Sequence, residues 1–130
     1  MKSDFKRIIE KWIPQNTKVL DLGCGDGDLL EHLEDSKNVN GFGIEIDVSK
    51  ANECLRRNIP VMQCDIDEGI REFDDLDFDI TIMANSIQCL RNPNLALQNI
   101  LNISNKCIVC LLYTSPSPRD ESTSRMPSSA

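Results

Sequence analysis

Residues 19–27 read VLDLGCGDG, and residues 43–47 read GIEID. In the first stretch an apolar run ends in a short loop with three glycines at alternate positions, and in the second a short apolar run ends in acids. Glycine has no Cβ, so it permits a sharp turn and lets a ligand approach the backbone closely. A carboxylate at the end of the next strand suits the two hydroxyls of a ribose. The two stretches together predict a site for a cofactor that contains a nucleoside.

The spacing of the glycines bears on which cofactor that is. A dinucleotide-binding loop reads G-x-G-x-x-G and rests a pyrophosphate on a helix N-terminus, but here the third glycine is Gly27 and Asp28 takes the dinucleotide position. Asp26 and Asp28 would stand near a diphosphate, and such like charges repel by about 1 kcal/mol even at a solvated surface. S-adenosylmethionine shares the adenosine but carries a sulfonium cation and an amino group instead of phosphates. The loop therefore favours S-adenosylmethionine over NAD.

The bulk composition is that of a globular domain and excludes several classes of partner. The chain has 130 residues, of which 40% are hydrophobic and 27% charged, and its formal net charge is −7. Without clustered Lys and Arg, this charge argues against nucleic acid. No apolar stretch approaches the ~20 residues of a membrane span, and the N-terminus lacks the apolar core of a signal peptide. We expect a cytoplasmic protein that binds a small molecule, with no nucleic acid and no membrane.

The six cysteines indicate reduced thiols rather than a disulfide framework or a metal site. Most lie in or beside apolar runs, where cysteine behaves as a small hydrophobe. Cys107 and Cys110 form a C-x-x-C, but this spacing on a strand places the two thiols on opposite faces. Because there is no second such pair and the single histidine, His32, fits the polar face of a helix, we predict no metal site.

Apolar periodicity alternates between strand and helix along the chain. The predicted strands are 18–22, 39–45, 60–64, 78–83 and 106–112, and the predicted helices begin near Ser3, Gly27, Asp47 or Ser49, Asp67, and Asn92. Such alternation predicts an α/β fold, a doubly wound parallel sheet covered on both faces. Right-handed crossovers then place the loops after the strands at one edge, where ligands bind. The glycine loop, Glu45, Asp65 and the segment after Met83 all fall on that edge.

After residue 112 the composition changes abruptly to Ser, Thr and Pro with few apolar side chains. Such a stretch cannot bury enough apolar surface to offset the entropy lost on ordering. We therefore predict a folded domain over residues 1–112 and a disordered, non-native tail over residues 113–130. Our hypothesis is a C-terminally truncated fragment joined to an unrelated tail.

Residues 21–27, read as D-x-G-x-G-x-G, resemble motif I of the class I S-adenosylmethionine-dependent methyltransferases. A closer resemblance, to the methionine biosynthesis protein MetW family, runs from about residue 8 to residue 109. It includes residues 12–14, 41–47 and 91–93 and the acidic block at 65–69, which is unusual among generic methyltransferases. The resemblance implies a Rossmann-like sheet with about five of the usual seven strands present.

The resemblance also implies which residues bind the cofactor. Asp21 would order the glycine loop and approach the cofactor's amino group, Glu45 would bind the ribose hydroxyls, and Asp65 would hold the adenine amino group. The whole set is Asp21, Gly23, Cys24, Gly25, Gly27, Glu45, Ile46, Asp65 and Ile66. Other roles stay open, because Asp21 could cap loop amides, Glu45 could be a solvated acid, and Asp65 or Asp67 could cap a helix.

No residue is predicted to be catalytic. The segment after the fourth strand lacks the Asn/Asp-Pro-Pro-aromatic motif of enzymes that methylate nucleic-acid or glutamine nitrogen, and it offers no histidine or lysine as a base. The family resemblance implies an association with homoserine O-acyltransferase. Two functions stay open: an S-adenosylmethionine-binding protein that acts with or regulates this acyltransferase, and a methyltransferase that acts on a small-molecule acceptor mainly by alignment. We favour the first, because the sequence specifies residues that would bind the cofactor but does not specify residues that would bind a methyl acceptor.

Overall fold

A computed structural model describes residues 3–84 and 86–110 of the chain. The strands are β1 (Lys18–Leu22), β2 (Asn40–Ile44), β3 (Val61–Met62), β4 (Phe78–Ala84) and β5 (Ser104–Cys110). The helices are α1 (Ser3–Trp12), α2 (Asp28–Lys37), α3 (Val48–Arg56), α4 (Ile66–Gly69) and α5 (Pro93–Ile103). Short 3₁₀ turns cover Ile70–Glu72 and Ile87–Cys89. None of the helices in this part of the chain is long and apolar enough to cross a membrane.

The strands form a single parallel sheet in the order β3-β2-β1-β4-β5. Leu22, the last residue of β1, is paired with Ile44 on one side and Met83 on the other. β2 and β3 therefore lie on one side of β1, and β4 and β5 lie on the other. At such a reversal of strand order a crevice opens at the carboxyl ends of the two central strands, here β1 and β4. The predicted α/β fold is confirmed, with helices on both faces.

Each face of the sheet has its own apolar core. Residues of α1, α2 and α3, such as Ile9, Leu30 and Cys54, pack on one face. Residues of α4 and α5, such as Ile66 and Ile100, pack on the other. This is the arrangement that a doubly wound sheet requires.

The two thiols of the C-x-x-C lie on opposite faces, as predicted. Cys107 packs against the core that contains α4 and α5, and Cys110 packs against the core that contains α1, α2 and α3. Successive side chains of a strand alternate between the faces, so residues three apart point in opposite directions. His32 likewise lies on the polar side of α2, with its Nε2 at 2.6 Å from Oε1 of Glu10.

Three elements differ from the prediction by more than one residue at an end. β3 has two residues instead of five, because this edge strand pairs with β2 only at Val61 and Met62. The helix predicted for residues 67–73 is instead α4 followed by a 3₁₀ turn, a common way for a helix to end. β5 begins at Ser104, where the buried hydroxyl accepts a hydrogen bond from Thr81. Its predicted end, residues 111–112, and the predicted tail, residues 113–130, lie outside the described residues.

The capping residues settle two alternatives that the sequence left open. Asp47, rather than Ser49, caps α3, and its Oδ1 accepts the backbone N–H groups of Ser49 and Lys50 at 2.9 and 3.1 Å. Asp65, rather than Asp67, caps α4. Each cap lies shortly after the end of a strand, so it fixes where the next helix begins at the carboxyl edge of the sheet.

Candidate functional site

The glycine loop after β1 needs glycine at three positions for its backbone shape. Gly23, Gly25 and Gly27 have φ angles of 75°, 61° and 87°, in the left-handed region that side chains disfavour. A Cβ on Gly27 would lie 3.1 Å from Sγ of Cys54, whereas a Cβ on Gly25 would meet nothing within 4 Å. Gly27 therefore also permits close packing on α3, and Gly25 faces open space.

Glu45 joins the end of β2 to this loop. Its Oε1 accepts the backbone N–H of Gly25 at 2.8 Å, and its Oε2 accepts the backbone N–H of Asp47 at 3.0 Å. The residue is only 9% exposed, so the alternative of a freely solvated acid is wrong. Each oxygen keeps a second lone pair with which it can accept a further hydrogen bond.

Asp21 is the second buried acid of the site. It is 2% exposed, and burial, together with the negative charge of Glu45, raises the pKa of Asp21 from 3.8 to about 7. Within residues 3–84 and 86–110, no loop amide donates a hydrogen bond to this carboxylate, so the alternative of a loop cap is not what the structure shows.

Two cavities lie on either side of the glycine loop. The first has a volume of about 400 Å³, within the range of small-molecule sites. It is lined by Gly23, Glu45, Ile46, Asp65, Ile66, Ala84, Ser86 and Cys89. The second, of about 330 Å³, is lined by Gly23, Cys24, Gly25, Asp26, Asp28, Leu29 and Lys50. Seven of the nine predicted site residues line one or the other of these cavities, and Asp21 and Gly27 line neither.

A larger cavity of about 610 Å³ lies at the opposite edge of the sheet, beside Lys18, Asn40 and Phe78 at the starts of their strands. It contains none of the predicted site residues. Because parallel α/β sheets bind ligands at the carboxyl ends of their strands, volume alone does not identify the functional site here.

Asp65 both caps α4 and lines the cavity of about 400 Å³. Its Oδ1 accepts the backbone N–H of Asp67 at 2.9 Å, and its Oδ2 accepts Nη2 of Arg91 at 3.1 Å. The sequence does not predict this contact of Arg91, nor that of Ser86, which is 6% exposed and donates its hydroxyl hydrogen to the carbonyl of Leu22 at 3.1 Å. Both follow β4, and their residue types alone carry no signal of these contacts.

The charges of Asp26 and Asp28 are partly offset by two cations, which the sequence did not predict. Asp28 lies 3.1 Å from Nζ of Lys6, and Arg57 lies 3.5 Å from Asp28 and 3.7 Å from Asp26. Burial alone would raise the pKa of Asp28, but Lys6 and Arg57 hold it below its usual value. The loop therefore repels an anion less strongly than its two acids alone would.

Cys24 directs its thiol away from the loop surface. Its Sγ lies 3.7 Å from Sγ of Cys54, both residues are buried, and Cys54 in turn donates to the carbonyl of Gly25 at 3.1 Å. Burial raises the pKa of the Cys24 thiol, so it remains protonated. In the described part of the chain, no three His, Cys, Asp or Glu side chains are grouped to hold a metal ion.

Comparison with known protein families agrees with this fold. A sequence profile of the methionine biosynthesis protein MetW family matches residues 2–114. The bifunctional methionine biosynthesis protein MetXA/MetW of Rhodopirellula baltica is 30% identical over 114 residues, which cover 82% of this chain and 18% of that protein. The chain therefore spans less than one fifth of this curated relative.

Among the solved structures with the same fold are SAM-dependent methyltransferases of low sequence identity to this chain. A SAM-dependent methyltransferase from Aquifex aeolicus has a TM-score of 0.67 at 18% identity, covering 90% of this chain and 71% of that one. One from Thiobacillus denitrificans, in complex with S-adenosyl-L-homocysteine, has a TM-score of 0.67 at 14% identity, with coverages of 80% and 45%. These likenesses show the fold alone. The family match over residues 2–114 establishes that the chain belongs to the methionine biosynthesis protein MetW family, and the structural likenesses show that it has the Rossmann-like fold of class I methyltransferases.

Proposed function

We propose that this chain binds S-adenosylmethionine in the cavity beside the glycine loop and acts with, or regulates, homoserine O-acyltransferase in methionine biosynthesis. The hydrogen bond between Gly25 and Glu45 carries the proposal. It joins the backbone that must lie against the cofactor to the carboxylate that must bind its ribose. The two halves of the site are therefore oriented before a ligand arrives.

In the proposed complex, Glu45 accepts the ribose hydroxyls through its remaining lone pairs. The adenine ring lies against Ile46 and Ile66, with its amino group toward Asp65. The methionine part follows the glycine loop, where its ammonium and sulfonium groups are attracted by the buried acids. Ile66 is 8% exposed and Ile46 is 63% exposed, so an adenine ring would cover apolar surface mainly on Ile46.

The accessory role is supported by the name of the relative, which joins MetXA and MetW in one protein. A function fused to MetXA acts close to it, so this chain's family is expected to act beside the acyltransferase in the cytoplasm. The acceptor side of the cavity agrees with this role, because the buried hydroxyl hydrogen of Ser86 is already donated to Leu22. The second candidate, a methyltransferase with a small-molecule acceptor, is favoured by the fold it shares with such enzymes.

The test combines calorimetry with an acyltransferase assay. We expect S-adenosylmethionine and S-adenosylhomocysteine to bind the purified chain, and NADH not to bind. With homoserine O-acyltransferase from the same source, S-adenosylmethionine should change the acylation rate in the presence of the chain, and methyl-labelled cofactor should transfer no label. Tight NADH binding with both adenosyl compounds ignored would refute the cofactor assignment. Label recovered in a metabolite would instead establish the methyltransferase.

A further inference from the structure

The segment that follows β4 is tied to the loop that follows β3 through one arginine. Nη2 of Arg91 donates to Oδ2 of Asp65 at 3.1 Å, and the backbone N–H of Arg91 donates to Oδ2 of Asp67 at 3.3 Å. At its other end this segment is held to β1 by the bond from Ser86 to Leu22. Arg91 is therefore anchored to the wall of the cavity that contains Asp65.

The Arg91 contact contributes little to folding. Its side chain is 75% exposed, and ion pairs at such exposed positions are screened by water and add little to stability. Its geometric effect on Asp65 is larger. One oxygen of Asp65 is held by the amide of Asp67 and the other by Arg91, so the plane of the carboxylate cannot turn freely, while each oxygen keeps a lone pair for a ligand.

A carboxylate held in this orientation at the cavity wall distinguishes donors from acceptors. It accepts a hydrogen bond from the 6-amino group of adenine, whereas the 6-oxo group of hypoxanthine presents another acceptor and leaves both groups unsatisfied. A carboxylate that can rotate would lose part of this discrimination, because it can turn away from the wrong base or bind water instead.

We propose that Arg91 is a positioning residue that orients Asp65 and thereby sets the preference of this site for a 6-aminopurine over a 6-oxopurine. The proposal rests on the proposed function, since it assumes that an adenosyl cofactor occupies the cavity. Arg91 acts through Asp65 and is not itself in contact with the cofactor.

The experiment compares the affinities of S-adenosylhomocysteine and S-inosylhomocysteine by calorimetry. We expect the wild-type chain to prefer the adenosyl compound, and Arg91→Ala to reduce this preference by about 3- to 10-fold. Arg91→Lys should restore part of it, since lysine can still donate to Asp65. The matched control is Arg56→Ala, which removes an equally exposed arginine that pairs with Glu53 on α3 and should leave the preference unchanged. Thermal unfolding of each variant checks that the fold is retained.

The outcomes separate this proposal from the one on which it rests. If the wild type binds the adenosyl compound and Arg91→Ala keeps the same ratio of affinities, the role of Arg91 is overturned and the cofactor assignment stands. An equal loss of both affinities also overturns it, since a purely structural role would act on both compounds alike. If the wild type binds neither compound, both proposals fail.

Discussion

Gly25 donates its backbone N–H to Oε1 of Glu45 at 2.8 Å, across the gap between the loop after β1 and the end of β2. Gly25 has a φ of 61° and Glu45 is 9% exposed, so a left-handed backbone position is held by a buried acid. The shape of the loop and the orientation of the carboxylate therefore depend on each other. A change at either residue is expected to disturb the other half of the site.

Replacing Glu45 with alanine should weaken S-adenosylmethionine binding by at least about 1 kcal/mol, the scale of a hydrogen bond to a charged group. The variant loses the ribose acceptor and leaves the amide of Gly25 without its partner. Calorimetric titration measures the affinity. Glu45→Gln is the matched control, because it keeps one acceptor oxygen and removes the charge, and it should fall between the wild type and alanine. Unchanged affinity in Glu45→Ala would remove this residue from the site.

Alanine at Gly27 should mainly reduce stability, whereas alanine at Gly25 should mainly weaken cofactor binding. Both residues have positive φ, so each substitution should lower the free energy of unfolding by about 1–2 kcal/mol through backbone strain. At Gly27 the new Cβ also meets Cys54 and Ile59 at 3.1 and 3.4 Å, which should add about 1–3 kcal/mol of overpacking. At Gly25 the Cβ points into open space that the cofactor is proposed to fill. Urea unfolding and calorimetry on both variants check this, and equal stability of the two would contradict the packing assigned to Gly27.

The contribution of Asp21 to the free energy of unfolding should fall as pH rises toward neutral. Its pKa is raised from 3.8 to about 7, so the folded state binds the proton more tightly than the unfolded chain does. This contribution is complete below about pH 4 and is lost as pH rises through about 7, a change of up to about 4 kcal/mol. Urea unfolding at several pH values in this window, compared with Asp21→Asn, measures it. The difference between the two proteins should vary with pH, and a constant difference would show that Asp21 is not perturbed.

Cofactor binding should protect Cys89 from alkylation. Cys89 is exposed and lines the cavity of about 400 Å³, so iodoacetamide should label it readily in the free protein. Cys107 is the internal control, because burial raises its pKa to about 11 and it lies on β5, among the apolar side chains beside α4 and α5. Peptide mass spectrometry with and without S-adenosylhomocysteine gives both rates. If saturating ligand leaves the labelling rate of Cys89 unchanged, the cofactor lies elsewhere.

The glycine loop and the helix caps of the candidate site could be predicted from the sequence, because each depends on residues that are neighbours in the chain. Alternate glycines between a strand and a helix indicate a turn that needs positive φ, and all three glycines have it. An acid at a strand end followed by a helix indicates a cap, as Asp47 and Asp65 show. The edge strand β3 was predicted too long, because apolar residues do not reveal how many of them find a pairing partner.

The contacts that escaped prediction join residues far apart in the chain. Arg57 is close to the carboxylates of Asp26 on the glycine loop and Asp28 at the start of α2. Its positive charge offsets part of the repulsion of anions that the sequence predicts for this loop. Arg91 reaches Asp65 in the same way. A charged residue at the end of a helix or in a loop has many possible partners, and only the packing of the elements selects one.

The amino-acid sequence by itself determined the order of strands and helices, the edge of the sheet that carries the site and the glycine positions of the loop, since periodicity and backbone freedom act over a few residues. Only the tertiary structure decided the electrostatics of the site. Burial of Asp21 beside Glu45 raises its pKa, while Lys6 and Arg57 balance the loop acids. Coulomb interactions and desolvation depend on distance in space and on exclusion of water, and both are set when the helices pack onto the sheet.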